Sequence, residues 1–490
     1  MADLTQLTAT EMVQAVRATR VSPVAVVEAH LDRIAKLNPR LNAFVIIDED
    51  GARAQARRIE AAIQRGERVG PLAGVPVTIK SSIDVAGWRC AAGSRLRANY
   101  IAAVDAPLVA RLKTAGAVVL GSTNTPEMLM AYETDNLLHG RTNNPWDLDR
   151  TPGGSSGGES AAIAAGCSAA GVGSDGGGSV RVPAHYTGIC ALKPTPGRIP
   201  ATGHFPASAG PFAQIGVVGP MAHSIADLTL MFEAMAGPEL GDPSAAPVLL
   251  RVWNDAEMRS VPVGFFEEGG RTPVTPETRA AVRAAAETLQ RAGFDVQPFC
   301  PTNLDLMREL WWDIFGRAGG FVLKPFIGDR EADLSPILRE FMSIVAADPP
   351  LTLEQLIETL IERDRIRAEL LAEMERFPVL LCPVCAVPAF RHGERSWSVN
   401  GQTVKYLDAM SYTQWWNIMG NPAAVVPVGR SPKGLPIGVQ VVGRPWEEEL
   451  VLRVAGEIER GVTDDFRLSI ETRHSKLETR LHGSDLCLDD

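Results

Sequence analysis

The 490-residue chain lacks most features that would tie it to nucleic acid, a membrane or the secretory pathway. It has no run of five or more basic residues, and 58 Asp and Glu outnumber 48 Lys and Arg, for a net charge of −10. Phosphate affinity rests on clustered Lys and Arg, so a general nucleic-acid binder is excluded. Long apolar runs are missing too. The longest small-apolar stretch, Ala161 to Gly173, is broken by glycine and falls short of the ~20 residues that span a bilayer. The opening Met-Ala-Asp-Leu-Thr-Gln has neither a basic nor an apolar leader region, so the expectation is a cytoplasmic protein with no secretory leader and no membrane partner. Only seven cysteines are scattered along the chain, an odd number that makes no disulfide framework. No Gly-Lys-Ser/Thr follows any glycine run, which removes a P-loop.

What is present is ordinary globular composition, 45% hydrophobic and 22% charged. The length is about three times a ~150-residue domain, which allows several domains or one large α/β unit. The first 65 residues read as helices. Thr8 with Glu11 fits a capping box, and Ser22-Pro23 starts a second helix with Val24, Val27, Leu31 and Ile34 on one face. Beyond residue 71 short apolar runs alternate with helical stretches: Val75–Ile79, Ala117–Leu120, Val379–Leu381, Ala424–Val428 and Gly438–Val442. That alternation predicts a parallel or mixed sheet covered on both faces. Residues 300–377 read as a helical insertion with Trp311 and Trp312 near its start. The tail over 464–490 is polar and aperiodic, the pattern of a frayed or non-native end.

Residues 151–180 hold 10 glycines in 30 positions, the sharpest composition shift in the chain. Gly171 to Gly176 matches G-x-G-x-x-G, but a dinucleotide site needs a strand before it and an acid about 20 residues later. An Ala-rich helical segment precedes it, and no Asp or Glu occurs between Asp175 and Asp227. The serines are more informative. Ser155 and Ser179 each follow paired or tripled glycines, where backbone amides can converge on one point as an oxyanion hole requires. A nucleophilic serine needs a base. His185 is near in sequence but reads better as a loop histidine packed behind the site. Lys80 ends the apolar run Val75–Ile79; it is either a snorkelling surface lysine or a base made neutral by desolvation, and spacing alone leaves both open.

Taken together, these segments resemble the amidase signature family of serine hydrolases over roughly residues 8–460. The resemblance is carried by Gly74–Lys80 with Asp84–Gly87, by Asp105-Ala106 through Gly121–Glu127, by Thr142–Trp146, by Pro152–Gly158 and Gly173–Pro183, by Leu192–Arg198 and Gly219–Ala222, and by Gly420–Pro422 with Gly434–Gln440. It implies one α/β/α domain over 66–463 around a large twisted mixed sheet, with the N-terminal helices packed on it. It also implies a catalytic Lys80, Ser155 and Ser179. In that scheme Ser179 attacks the carbonyl, Ser155 follows a cis peptide bond and relays the proton, and neutral Lys80 receives it. The amides of Gly176, Gly177 and Gly178 with Ser179 would hold the oxyanion, and Ser156, Asp175 and Arg181 would support them, Arg181 as the partner of Asp175. Neither metal nor cofactor is implied.

Three departures stand out. Ser81 and Ser82 follow Lys80 where relatives often carry an acid. Gly176 stands where Thr or Ile is usual, which predicts a looser loop and room for bulkier acyl groups. Cys382-Pro383-Val384-Cys385 is a C-x-x-C without a second ligand pair. Candidate pocket walls are Leu129, Met130, Tyr132, Trp311, Trp312, Trp415 and Trp416, although tryptophan pairs also serve as core. With no arginine near the serines free to clamp a carboxylate, a neutral hydrophobic amide is expected. The subgroup it resembles is that of acylamidases and arylamidases, with carbamate (urethane) and ester cleavage as side activities. The rival is a glutamyl-tRNA amidotransferase-like subunit that releases ammonia inside an assembly. The free-standing enzyme would be a monomer or homodimer.

Overall fold

A computed structural model describes residues 3–462; the polar tail expected from 464 lies outside the described residues. The N-terminal helices start where their caps predict. The Glu11 amide donates to Thr8 Oγ1 at 3.2 Å and the Thr8 amide to Glu11 Oε2 at 2.8 Å, so helix Ala9–Arg17 opens on a reciprocal box. Ser22 Oγ accepts from the amides of Val24 and Ala25 at the start of Pro23–Leu41, whose Val27, Leu31 and Ile34 are buried against Val118 and Leu120. The expectation of helices alone over 1–65 misses one element. Asn42 ends the second helix at φ 51°, and Phe44–Ile47 forms a strand, β1, before helix Glu49–Gln64. Four apolar residues show no period; β1 exists because it pairs antiparallel with the strand Val118–Thr123.

The further strands are β2 (Pro76–Lys80), β3 (Val118–Thr123), β4 (Ala170–Asp175), β5 (Cys190–Lys193), β6 (Val217–Ala222), β7 (Val263–Phe265), β8 (Val296–Pro298), β9 (Val379–Pro383), β10 (Ser396–Val399), β11 (Gln402–Lys405), β12 (Ala423–Arg430) and β13 (Pro436–Gly443). With β1, ten of them make one mixed sheet of 11 strands in the order β1-β3-β2-β4-β6-β5-β12-β13-β9-β7-β8, and β10 and β11 pair apart from it. β2 runs parallel to both β3 and β4, while β4 meets β6 antiparallel.

Both faces of the sheet are apolar, which is why its strands read as near-continuous hydrophobic runs. Along β12, Ala424 and Val426 join one core with Val77, Ile79 and Val172, whereas Val425 joins the other with Ala191, Leu380 and Cys382. The second core also takes in the helical segment Leu304–Trp311, the π-helical turn Trp312–Ala318 and helices Leu353–Arg376 and Ser411–Ile418. Glu127 ties the N-terminus of helix Pro336–Ala347 to the loop around Ser94, accepting from Ser94 Oγ at 2.7 Å and from the Ser335 amide at 2.6 Å. Among the described residues no helix is long and apolar enough to cross a membrane.

Candidate active site

The C-terminal ends of β2 and β4 bring the chemistry together. Lys80 is the last residue of β2 and is fully buried. Its Nζ lies 2.7 Å from Ser155 Oγ, 2.9 Å from Ser156 Oγ and 3.0 Å from Ser174 Oγ. Three hydroxyls from two stretches distant from Lys80 in sequence thus meet at one amine, and a snorkelling surface lysine is excluded. Burial brings the Lys80 ammonium from its ordinary 10.5 down to about 7, against the pull of the Asp175 and Glu159 charges. Glu159 is itself pushed up to about 7 by burial, although Thr78 and Thr123 both donate to it and Lys80 lies near. Ser174, which the sequence reading passed over, sits on β4 one residue before Asp175.

Ser155 follows a cis Gly154–Ser155 peptide. Ser155 and Ser179 line one cavity together with Ser174, Asp175 and Gly176. The loop from Gly176 to Ser179 leaves β4 and enters helix Arg181–Thr187. Every carbonyl of this turn is tied down. The Asp175 carbonyl accepts from Asn417 Nδ2 at 3.2 Å and that of Gly176 from Trp311 Nε1 at 2.8 Å. The Gly177 carbonyl accepts from Tyr132 Oη at 2.9 Å and Thr413 Oγ1 at 2.7 Å, and the Gly178 carbonyl from the Val182 amide at 2.7 Å. In a trans peptide the next N–H points opposite its carbonyl, so these bonds fix the amides that follow. The N–H groups of Gly176, Gly177 and Ser179 have no acceptor among the described residues.

Gly178 corrects the sequence expectation. Its N–H donates to Asp175 Oδ1 at 2.7 Å and is not available to an oxyanion. Asp175 holds the turn from below. Burial alone would raise its carboxyl, but the ion pair with Arg181 keeps it far under the usual carboxylate range. Arg181 Nε and Nη2 each reach it at 3.0 Å with both side chains fully buried, and Asn417 Nδ2 adds a bond at 2.9 Å.

Gly176 gives a second correction. A Cβ there would fall 2.9 Å from the Phe315 ring, so the missing side chain is replaced by Phe315 and the loop is not loosened. Phe315 stacks on Trp311 at 4.7 Å, and a Cβ on Gly177 would meet the Trp311 ring at 2.6 Å. Leu129 and Met130 line the cavity as expected; Tyr132 and Trp311 line a smaller one that shares Leu129, Met130 and Ser179 with it. Trp312, Trp415 and Trp416 line neither. Trp312 Nε1 donates to Asp348 at 2.6 Å, and Trp415 and Trp416 are buried in helix Ser411–Ile418, packed edge to face on each other. That helix is buried on all sides, so adjacent aromatic residues both find core.

Met128, Phe212, Ile215, His204 and Phe315 are cavity walls that the sequence reading missed. They lie in short 3-10 turns, connecting loops or the π-turn, so no spacing marks them. His185 lies on helix Arg181–Thr187 with its Nδ1 accepting from the Gly438 amide at 2.8 Å, away from the serines' cavity. Gly171 and Gly173 fall inside β4, where a dinucleotide turn would instead follow the strand. Cys382 and Cys385 are buried and free, burial pushing the Cys385 thiol up to about 12. Among the described residues no three His, Cys, Asp or Glu side chains gather as a metal site.

A buried lysine, two serines in one cavity and unoccupied amides after a glycine turn are the groups that a serine hydrolase with a lysine base would need. The family model described as Amidase matches residues 25–452, and the chain belongs to the amidase signature family, as a hydrolase of amide C–N bonds. The chain is 35% identical to an indoleacetamide hydrolase of Bradyrhizobium diazoefficiens, covering 93% of this chain and 86% of that protein. It is 34% identical to a subunit of the glutamyl-tRNA(Gln) amidotransferase of Roseiflexus castenholzii, over 95% and 97%. The crystal structure of a bacterial aryl acylamidase of the same family superposes with a TM-score of 0.84 at 27% identity, covering 96% of this chain and 98% of that one.

Proposed function

We propose that the chain hydrolyses neutral, hydrophobic amides, anilides and acyl amides among them, and carbamates, through an acyl-enzyme on Ser179. The observation that carries this is Lys80 Nζ at 2.7 Å from Ser155 Oγ, in the cavity that also holds Ser179. Neutral Lys80 has one lone pair and two N–H bonds. With Ser155 O–H donating into the lone pair, the two N–H groups go to Ser156 and Ser174.

Ser179 Oγ bonds the carbonyl carbon as its proton passes to Ser155 Oγ, whose own proton passes to Lys80 Nζ. The oxyanion takes the free amides of Gly176, Gly177 and Ser179, each worth roughly 3–4 kcal/mol of transition-state stabilisation by analogy with other such donors. On collapse the ammonium returns a proton through Ser155 to the nitrogen, and the C–N bond breaks. Water then enters, gives its proton to the same relay, and releases the acid from Ser179. A carbamate presents the same trigonal carbonyl.

The cavity walls support a neutral substrate. Met128, Leu129, Met130, Phe212, Ile215 and Phe315 are apolar, and the one acid there, Asp175, is already paired with Arg181. Likeness to an indoleacetamide hydrolase and an aryl acylamidase agrees with an aromatic neutral amide. A second reading, ammonia release from glutamine within an assembly, has the amidotransferase likeness behind it, but glutamine's ammonium and carboxylate would meet no unpaired counter-charge on these walls.

The test is release of nitroaniline from a neutral anilide, and of the amine from an aryl carbamate, by the purified chain without ATP. Loss of both in Ser179→Ala is expected. Activity on glutamine alone, appearing only with partner proteins, would transfer the assignment to the second reading.

A further inference from the structure

His204 lies in the long loop between β5 and β6, yet its backbone is held against the segment that follows Lys80. The Asp84 amide donates to Gly203 at 2.8 Å, the Phe205 amide to Ser82 at 2.8 Å, and His204 itself bridges Ile83. His204 is among the residues that line the cavity containing Ser155 and Ser179.

The tautomer follows from one bond. Nδ1 lies 2.9 Å from the Pro206 carbonyl oxygen. A carbonyl only accepts, so Nδ1 carries the hydrogen. Burial, with the nearby Lys80, holds the imidazolium down to about 3, so the ring is neutral near pH 7. Nε2 is therefore a lone-pair acceptor, and it is buried with no partner in the described residues. A ring that protonates only near pH 3 makes a poor base but still accepts a hydrogen bond. A buried acceptor without a donor is costly, and natural sites seldom keep one without use.

Resting on the acyl-enzyme reading, we infer that His204 is a specificity-determining residue whose Nε2 accepts a hydrogen bond from the N–H of the scissile amide. The stereochemistry of the reaction supplies that donor. When Ser179 attacks, the nitrogen turns tetrahedral and its lone pair must face Ser155 to receive the proton. Its N–H then points away from Ser155 and needs its own acceptor. The apolar walls Met128, Leu129, Phe212 and Ile215 offer none. Primary and secondary amides, and carbamates bearing N–H, satisfy Nε2; tertiary amides and esters do not.

The experiment compares kcat/KM for a secondary nitroanilide, its N-methyl analogue and the matching nitrophenyl ester, in wild type, His204→Leu and His204→Gln. The expected result is a tenfold or greater loss on the secondary anilide in His204→Leu with less than a threefold change on the ester. His204→Gln, whose Oε1 accepts, should recover part of the anilide rate. Wild type should favour the secondary anilide over its N-methyl analogue by at least tenfold. Equal losses on anilide and ester, or no loss on the anilide, overturn the inference. His204→Asn, whose amide is too short to reach, carries the same comparison should His204→Leu not fold. Labelling by a fluorophosphonate separates the two layers: wild type that is neither labelled at Ser179 nor active on any of the three overturns the acyl-enzyme reading and this inference with it.

Discussion

Replacing Lys80 by methionine removes the proposed base and one buried titrating group, and the second effect can be read by thermodynamics alone. The side chain is fully buried and its proton is lost near pH 7, against 10.5 in water. At 1.36 kcal/mol per pH unit, that difference is roughly 5 kcal/mol against the charged form. The unfolded chain keeps this proton up to 10.5 and the folded chain releases it near 7. Between those values the unfolded state binds more protons, so wild-type stability rises with pH across the window. Integrated from pH 6 to pH 9, the gain is about 2.7 kcal/mol. Lys80→Met lacks it. Whatever the methionine does to the three serine hydroxyls, its stability relative to wild type should fall by about that much between the two pH values. Glu159 acts in the same sense, because without Lys80 nearby its carboxyl moves further up and costs more at pH 9. Urea unfolding midpoints of the two proteins at pH 6 and pH 9 give the answer. In the same wild type, kcat/KM on a neutral anilide should be level above pH 7 and fall about tenfold per pH unit below it. An unchanged stability difference at the two pH values would mean that Lys80 stays protonated when folded, and the base would have to be sought elsewhere.

Gly176→Thr should cost at least about tenfold in kcat/KM, since its Cβ would fall 2.9 Å from the Phe315 ring, and Gly176→Thr with Phe315→Ala should recover most of it; simple addition of the two losses would show that they do not compete for one space. Arg181→Met leaves Asp175 buried and unpaired, and should lower unfolding stability by about 3–5 kcal/mol, less at pH 5 than at pH 8 because a protonated Asp175 needs no partner; a midpoint change under about 1 kcal/mol would contradict the ion pair's role. Trp416→Phe should cost about 1–3 kcal/mol of stability while kcat/KM stays within about threefold, as a core position demands; a changed substrate preference without a stability loss would return Trp416 to the pocket.

How much could be read from the sequence follows the distance over which each residue acts. Ser155, Ser156, Asp175, Ser179 and Arg181 lie within one short glycine-rich stretch, and Lys80 ends an apolar run where a charge is conspicuous. Their chemistry is written locally, by residue type and neighbours. The oxyanion loop shows where local reading stops. Three consecutive glycines look equivalent in sequence, but only the folded turn sends the Gly178 amide to Asp175 and leaves those of Gly176 and Gly177 open. The absent side chain at Gly176 looked like slack because Phe315, which fills the space, is 139 positions away in a π-turn without apolar periodicity. The two tryptophan pairs looked alike for the same reason, yet Trp311 braces the Gly176 carbonyl while Trp415 and Trp416 are enclosed by a helix buried on every side. His204 is the extreme case. A lone histidine in a Pro- and Gly-rich loop carries no motif, and its acceptor nitrogen is fixed by one carbonyl two residues on. The proposed catalytic groups are thus legible because their chemistry needs particular residues at particular spacings. The residues proposed to decide which amide is cleaved need only reach the cavity, and many loop sequences satisfy that.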